Sequence, residues 1–352
     1  MNSAPLEIFA TFPGERPGNP TVMPDGRVLV SISAIITPDI SVREVSADGE
    51  HSAYPNETWA GKPGLDGRGM SAVIGIRTGP DGIVWILDMG NAQQQPRLIA
   101  WNDREQALHR LIVLPQNVLR PSSFTQDFVI DWRRQRIYIA DMTMNTSGVS
   151  DYPAIVVVDL KTGLSWRSLE CYPGLMPGDV PLMIAGKPLA LRTPEGEVVP
   201  YQYGLNPIAI DPLGRWVYFG SMSARKVYRI ATDTLAQPAS SASLGEAVEY
   251  WCEKPHCDGF DVDAEGNVYV TDIANNAIGM ASPAGYRILA QDDRLLGWPD
   301  GVELDPLGKW LYITANQLHR HPLLNAGEDD SQPPFHVLRL LVDAPMGSSE
   351  TP

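Results

Sequence analysis

Residues 300–315, Asp-Gly-Val-Glu-Leu-Asp-Pro-Leu-Gly-Lys-Trp-Leu-Tyr-Ile-Thr-Ala, decide the fold, because the same pattern occurs six times in the chain. A polar residue leads, apolar positions alternate, an Asp or a substitute precedes a turn, and an aromatic-rich apolar run ends in a small polar residue. The other copies are GNPTVMPDGRVLVSI from Gly18, IGIRTGPDGIVWILD from Ile74, QDFVIDWRRQRIYIAD from Gln126, NPIAIDPLGRWVYFGS from Asn206 and DGFDVDAEGNVYVTD from Asp258. Each is a hairpin by its own chemistry. Period-two alternation flanks turns such as Pro24-Asp25-Gly26 and Ala264-Glu265-Gly266, where glycine admits positive φ. Second strands such as Val84-Trp85-Ile86 and Val217-Tyr218-Phe219 carry the β-branched and aromatic residues that pack between two sheets.

Taking Met23, Gly79, Asp131, Asp211, Asp263 and Asp305 as register, the repeats are spaced by 56, 52, 80, 52 and 42 residues, mostly the length of one four-stranded blade. Further strand candidates follow the hairpins, at 97–101, 154–160, 226–230 and 335–342. The run 335–342 and the run from Leu6 to Phe12 can share a blade and close the ring, which removes open sheet edges. The expectation is an all-β, six-bladed β-propeller forming a single domain over residues 1–352. The long interval holds a Pro- and Gly-rich segment, 171–204, expected to lie as a lid beside the channel. Residues 54–70 are a second candidate cover.

Composition narrows the partners. Of 352 residues, 42 are acidic and 27 basic, for a net charge of −15, and no basic run interrupts the excess. Polyanions are repelled, so neither nucleic acid nor an anionic membrane surface is an expected partner. Small neutral or cationic molecules are, and a monomer is expected. Cys171, Cys252 and Cys257 form neither a disulfide framework nor a metal-binding set. They read as isolated thiols, with a Cys252–Cys257 bridge as the alternative. The chain shows no signal peptide and no span of membrane length, so a soluble protein is expected, either cytoplasmic or exported with its signal trimmed.

The succession GNPTVMPDGRVLVS, YPNETW followed by VIGIRTGPDGIVWILDMGN, SFTQDFVIDWRRQRIYIAD, YGLNPIAIDPLGRWVYFGSMS and WPDGVELDPLGKWLYITAN resembles, in order and over nearly the whole chain, the major royal jelly protein and Yellow family. That resemblance implies a six-bladed propeller. Insect members are linked to dopachrome conversion or to binding small amines, and this chain departs from them in lacking a secretion signal and their paired cysteines. More distantly, Asn206-Pro207 and residues 258–263 resemble the metal-ligand segments of the gluconolactonase and senescence-marker-protein propellers. There an Asn and an Asp hold a divalent ion. The glutamate ligand of the first blade is absent here, Gly18 and Asn19 standing in its place.

In a propeller the innermost strands start at the channel, so the residues five before the register face the axis at one mouth: Gly18, Ile74, Gln126, Asn206, Asp258 and Asp300. Asn19 and Asp127 come one step later. Oxygen-bearing side chains gathered on an axis suit Ca²⁺ or another divalent cation, with Asn206, Asp258 and Asp300 as ligands. They also suit hydrogen bonding to a small ligand by Asn19, Gln126 and Asp127. Two adjacent carboxylates raise one another's pKa, so Asp258 and Asp300 are the candidate catalytic pair, one acting as general base. His256 and Trp298 lie near the same rim as ligand-binding candidates. His319 and His321 would share one face of an extended segment. Three readings follow: a lactonase-type hydrolase, a non-catalytic binder of aromatic or amine ligands, and a dopachrome-type tautomerase. No organic cofactor is expected, since no phosphate-cradling loop is present.

Overall fold

Each repeat folds as the inner half of a blade. The computed structural model describes residues 5–347 apart from Ala47 and Pro194, and it contains six four-stranded antiparallel sheets. Their innermost strands are Pro17–Val22, Val73–Thr78, Thr125–Asp131, Leu205–Ile210, Cys257–Val262 and Pro299–Leu304, for blades 1 to 6 in chain order. Each packs on the innermost strands of both neighbours, blade 6 on blade 1 included, so the ring is closed. Within blade 6 the N-terminal strand Leu6–Phe12 pairs antiparallel with Phe335–Leu341, from Leu6 opposite Leu340 to Phe12 opposite Phe335. Terminal pairing thus closes the propeller, as the two apolar runs predict.

The core lies between blades. Trp85, Leu87 and Leu98 of blade 2 meet Phe128, Ile137 and Ile139 of blade 3, all buried. Comparable apolar layers recur around the ring, for instance where Phe12, Val30 and Ile32 join Tyr312 and Val337 across the closing seam. Strand ends are tied by buried carboxylates. Asp88 accepts from the amides of Ser71, Ala72 and Gly90 and pairs with Arg97 at 3.2 Å.

One irregularity positions the functional residues. In all six blades the innermost strand slips register against the second strand near its start, between Pro17 and Pro20, Val73 and Ile76, Thr125 and Asp127, Leu205 and Ile208, Cys257 and Phe260, and Pro299 and Val302. A β-bulge re-aims side chains, and here it falls at the mouth positions, which carry Gln126, Asn206, Asp258 and Asp300 in blades 3 to 6 and Gly18 and Ile74 in blades 1 and 2. The neighbouring strands approach closely at these bulges. A Cβ on Gly301 would stand 2.7 Å from Asn19 Oδ1 and 2.8 Å from Asn19 Cα, and one on Gly259 would stand 2.7 Å from the Asp300 carbonyl oxygen. Only glycine fits those two positions without backbone movement.

Segment 171–204 forms two short ribbons, Met183–Ile184 with Lys187–Pro188 and Ala190–Arg192 with Val198–Pro200. Bridges from Gln202 to Val149 and from Ala190 to Asn325 fasten it to loops of blades 3 and 6. Its Leu182, Ile184, Leu189, Tyr201 and Tyr203 pack with Met142, Met222, Ile273, Trp298 and Leu324, drawn from the loops of blades 3 to 6. An apolar layer therefore lies across one end of the channel. Residues 54–70 behave differently from the cover expected of them. Tyr54, Trp59 and Met70 fill the seam between blades 1 and 2, beside Trp101.

Candidate functional site

The polar residues of the repeats converge beneath that apolar layer. Asp258, 8 % exposed, accepts from Asn206 Nδ2 at 2.5 Å on one oxygen and from Trp298 Nε1 at 2.7 Å on the other. Asp300 is buried beside it, accepts from Asn316 Nδ2, and its carboxyl hydrogen-bonds to Asp258. Gln126 Nε2 donates to the Asn206 carbonyl at 2.9 Å, holding the blade 4 bulge. One layer deeper, the Asp127 side chain accepts from the Phe128 amide at 2.8 Å and from Arg77 at 3.0 Å.

Electrostatics follow from this packing. Burial pushes the Asp258 carboxyl up to about 6, opposed by donation from Trp298, Asn206 and Asp300. Burial, reinforced by the Asp258 charge, holds Asp300 well above the carboxylate range. Asp300 therefore keeps a proton and donates it to Asp258, because two carboxylates this close in a dry site do not both ionise.

Several expectations need correction. His256 sits half-buried, with its Nδ1 unpartnered and no hydrogen bond to Asp258. Trp298 is 1 % exposed, and it holds Asp258 instead of offering a free ring for stacking. His319 and His321 do not share a face, because Leu318–Arg320 is a 3₁₀ turn. His319 stacks on Trp298 at 6.0 Å, while His321 Nδ1 accepts from the Leu323 amide. The cysteines, by contrast, are isolated thiols as expected: Cys252 and Cys257 are buried and free, and Cys171 is exposed and free.

The profile of the major royal jelly protein family matches residues 72–341. The chain belongs to that family. No curated protein matches the chain in sequence. Among solved structures, it superposes on a gluconolactonase from Xanthomonas campestris with a TM-score of 0.55 and 10 % identity, covering 96 % of this chain and 90 % of that one. The calcium-binding protein regucalcin from Agrobacterium tumefaciens gives 0.56 and 14 % identity, covering 98 % and 96 %. A luciferin-regenerating enzyme gives 0.56 and 12 % identity, covering 96 % and 95 %. At these identities the likeness establishes the shared propeller.

This member of the royal jelly protein family carries a further mouth residue that its repeats did not single out. Tyr203, from the segment over the channel, stacks on Tyr201 at 5.1 Å, and burial together with Tyr201 and Asp258 raises its hydroxyl well above the ordinary range. Asn316 links Asp300 to the Pro17 carbonyl of the next blade. Three residues after the mouth ring, the same register places Thr21, Arg77, Val129, Ala209, Asp261 and Glu303 around a second ring. Its charged members were readable by counting three further along every repeat.

The oxygen donors at the mouth fit a hard cation. Asn206, Asp258 and Asp300 supply carboxylate and amide oxygens, and the Oδ1 of Asn316, bound to Asp300 through its nitrogen, has no hydrogen-bond partner. Among the described residues no group of three His, Cys, Asp or Glu forms a metal cluster, so the amides would have to complete the set. Oxygen-only ligation of that kind suits Ca²⁺ better than Zn²⁺.

Proposed function

We propose that this protein hydrolyses a small lactone or related ester at the mouth of the channel. The observation that carries the reading is the buried Asp258–Asp300 pair, in which one carboxyl keeps a proton and the other is ionised above about pH 6. Asp258 is the general base: it takes a proton from water as the water oxygen bonds to the carbonyl carbon. When the tetrahedral intermediate collapses, the carbon–oxygen bond of the ring breaks, and the leaving oxygen receives a proton from the pair. Water and lactone become a hydroxy acid, and the pair returns to its starting state. Asn206 and Trp298 fix the Asp258 carboxylate in one orientation, and the apolar layer of Tyr203, Met222 and Leu182 excludes bulk water. A divalent cation held by Asn206, Asp258 and Asp300 would replace the shared proton and polarise the carbonyl.

Support comes from the distant resemblance of Asn206-Pro207 and residues 258–263 to segments of lactonase-type propellers and from the pair's geometry. The test is turnover of five- and six-membered sugar and aliphatic lactones, followed by acid release, with Ca²⁺ and after chelation. Asp258→Asn should lower kcat at least 10²-fold, the usual contribution of a positioned base. A wild-type protein that opens no lactone, yet binds an aromatic amine in a manner lost in Asp258→Asn, would replace this reading with that of a binding protein.

A further inference from the structure

A second cavity lies off the channel axis. It opens between the loop that enters blade 3 and the loop that joins that blade's second and third strands, has a volume of about 590 Å³, and is lined by Arg120, Ser122, Met144, Asn145, Asp151 and Tyr152, with Thr146 at its edge. That volume falls within the range of small-molecule sites. Met144 also packs against the apolar layer over the mouth, but neither Asp258 nor Asp300 lines this cavity.

Its two loops are tied to each other. The Met144 amide donates to the Ser122 carbonyl at 2.6 Å, and Ser122 Oγ donates to Asp151 Oδ1 at 2.7 Å. The amides of Asp151 and Tyr152 donate to Thr143 Oγ1 at 3.2 and 3.0 Å. Thr143 itself is held at a φ of 49°, a left-handed conformation that is costly for a β-branched residue. Strain of that kind persists only where surrounding contacts impose it, and it gathers at ligand sites. The groups left over are mixed in kind. Arg120 gives Nε and Nη2 to Glu170, Asp151 Oδ1 also takes the Tyr152 amide, and Asn145 Oδ1 accepts from the amides of Ser147 and Val149. Among the described residues this leaves without a partner one carboxylate oxygen, Asp151 Oδ2, two nitrogen donors, Asn145 Nδ2 and Arg120 Nη1, and the hydroxyls of Thr146 and Tyr152. The Arg120 guanidinium stands 6.0 Å from the Tyr152 ring centre and leaves that residue 51 % exposed.

We infer that this cavity binds a neutral saccharide, whose hydroxyls bond Asp151, Asn145 and Arg120 while its ring packs against Tyr152. A sugar hydroxyl both donates and accepts, so neighbouring hydroxyls on one ring answer a carboxylate oxygen and an amide nitrogen standing side by side. The positively polarised C–H bonds of a sugar ring suit the negative face of an aromatic ring. Asp151 and Glu170 disfavour an anion, and Arg120 between them disfavours a cation, because each would meet a like charge. A metal ion is disfavoured because one uncommitted carboxylate oxygen falls far short of the six to eight oxygens that Ca²⁺ takes. The site stands independently of the reaction proposed at the mouth.

The experiment is saturation-transfer NMR of the full chain at pH 7 with glucose, galactose, mannose, N-acetylglucosamine and cellobiose. Saturable binding of at least one of them is expected, in the millimolar range or tighter. The amino sugar and the uronic acid that correspond to the best binder should bind more weakly than it does. Tyr152→Ala should weaken binding about fivefold or more, Asp151→Asn should weaken it several-fold, and Asp258→Asn at the mouth should leave it within twofold. Should Asp151→Asn fail to fold, Tyr152→Ala, which alters an exposed side chain, still decides the question. The inference is overturned if no saccharide of the panel binds saturably, if a charged analogue binds more tightly, if Asp258→Asn abolishes binding, or if Tyr152→Ala binds as the wild type does.

Discussion

Replacing Trp298 with phenylalanine removes one hydrogen bond to Asp258 and keeps a ring beneath His319. The lost bond, from Nε1 to Oδ2 at 2.7 Å, is charge-assisted and buried. Such a bond contributes about 1.5–3 kcal/mol to the ionised form, equivalent to about one to two pKa units. Asp258 therefore moves from about 6 towards roughly 7–8. Because the folded-state value already lies above the ordinary 3.8, the protonated carboxyl favours folding below pH 4, and that contribution is lost as pH rises through 6. The wild-type loss is about 3 kcal/mol. In Trp298→Phe the loss continues up to pH 8. Urea denaturation of both proteins from pH 4 to 8.5, in the presence of a chelator, measures this directly. At pH 4 the variant should show only its packing cost; by pH 8 the gap should have widened by a further 1.5–3 kcal/mol or so. A gap constant across the range would refute the claim that Trp298 acts through the Asp258 charge.

Two other perturbations examine the frame around the pair. Gly301→Ala places a methyl group against the Asn19 backbone at a bulge, and should destabilise by about 1–3 kcal/mol in chemical denaturation; a variant as stable as the wild type would contradict the close approach. Phe12→Ala empties a fully buried position in the closing strand, and should cost about 3–5 kcal/mol and loosen the seam in hydrogen exchange at Phe335–Leu341 before the other blades.

The six repeats made the architecture legible because a hairpin declares itself locally: alternation, a turn that contains Gly in five of the six, and a β-branched return strand need no distant partner. Closure was legible for the same reason, in the two apolar runs that no other blade required. The convergence of Asn206, Asp258 and Asp300 followed from register alone. What register could not supply was orientation across blades. Trp298 looks like a ligand platform until its indole is seen to donate to Asp258, and His319 pairs with His321 only if their segment is extended, whereas a 3₁₀ turn rotates them apart. Segment 171–204 has no periodicity, so nothing local specified that Tyr201 and Tyr203 would stack over the mouth. The second ring was hidden by attention to first residues: the bulge that aims Asp258 and Asp300 at the axis also leaves Asp261 and Glu303 lining it three residues later.

The central claim is that Asp258 and Asp300 work as one acid–base unit. The pH dependence of kcat/KM for a lactone substrate tests it most directly. A limb rising through about pH 6, abolished in Asp258→Asn and displaced in Asp300→Asn, is the predicted result; a wild-type profile flat across pH 5–8, or one unchanged by either substitution, would contradict it.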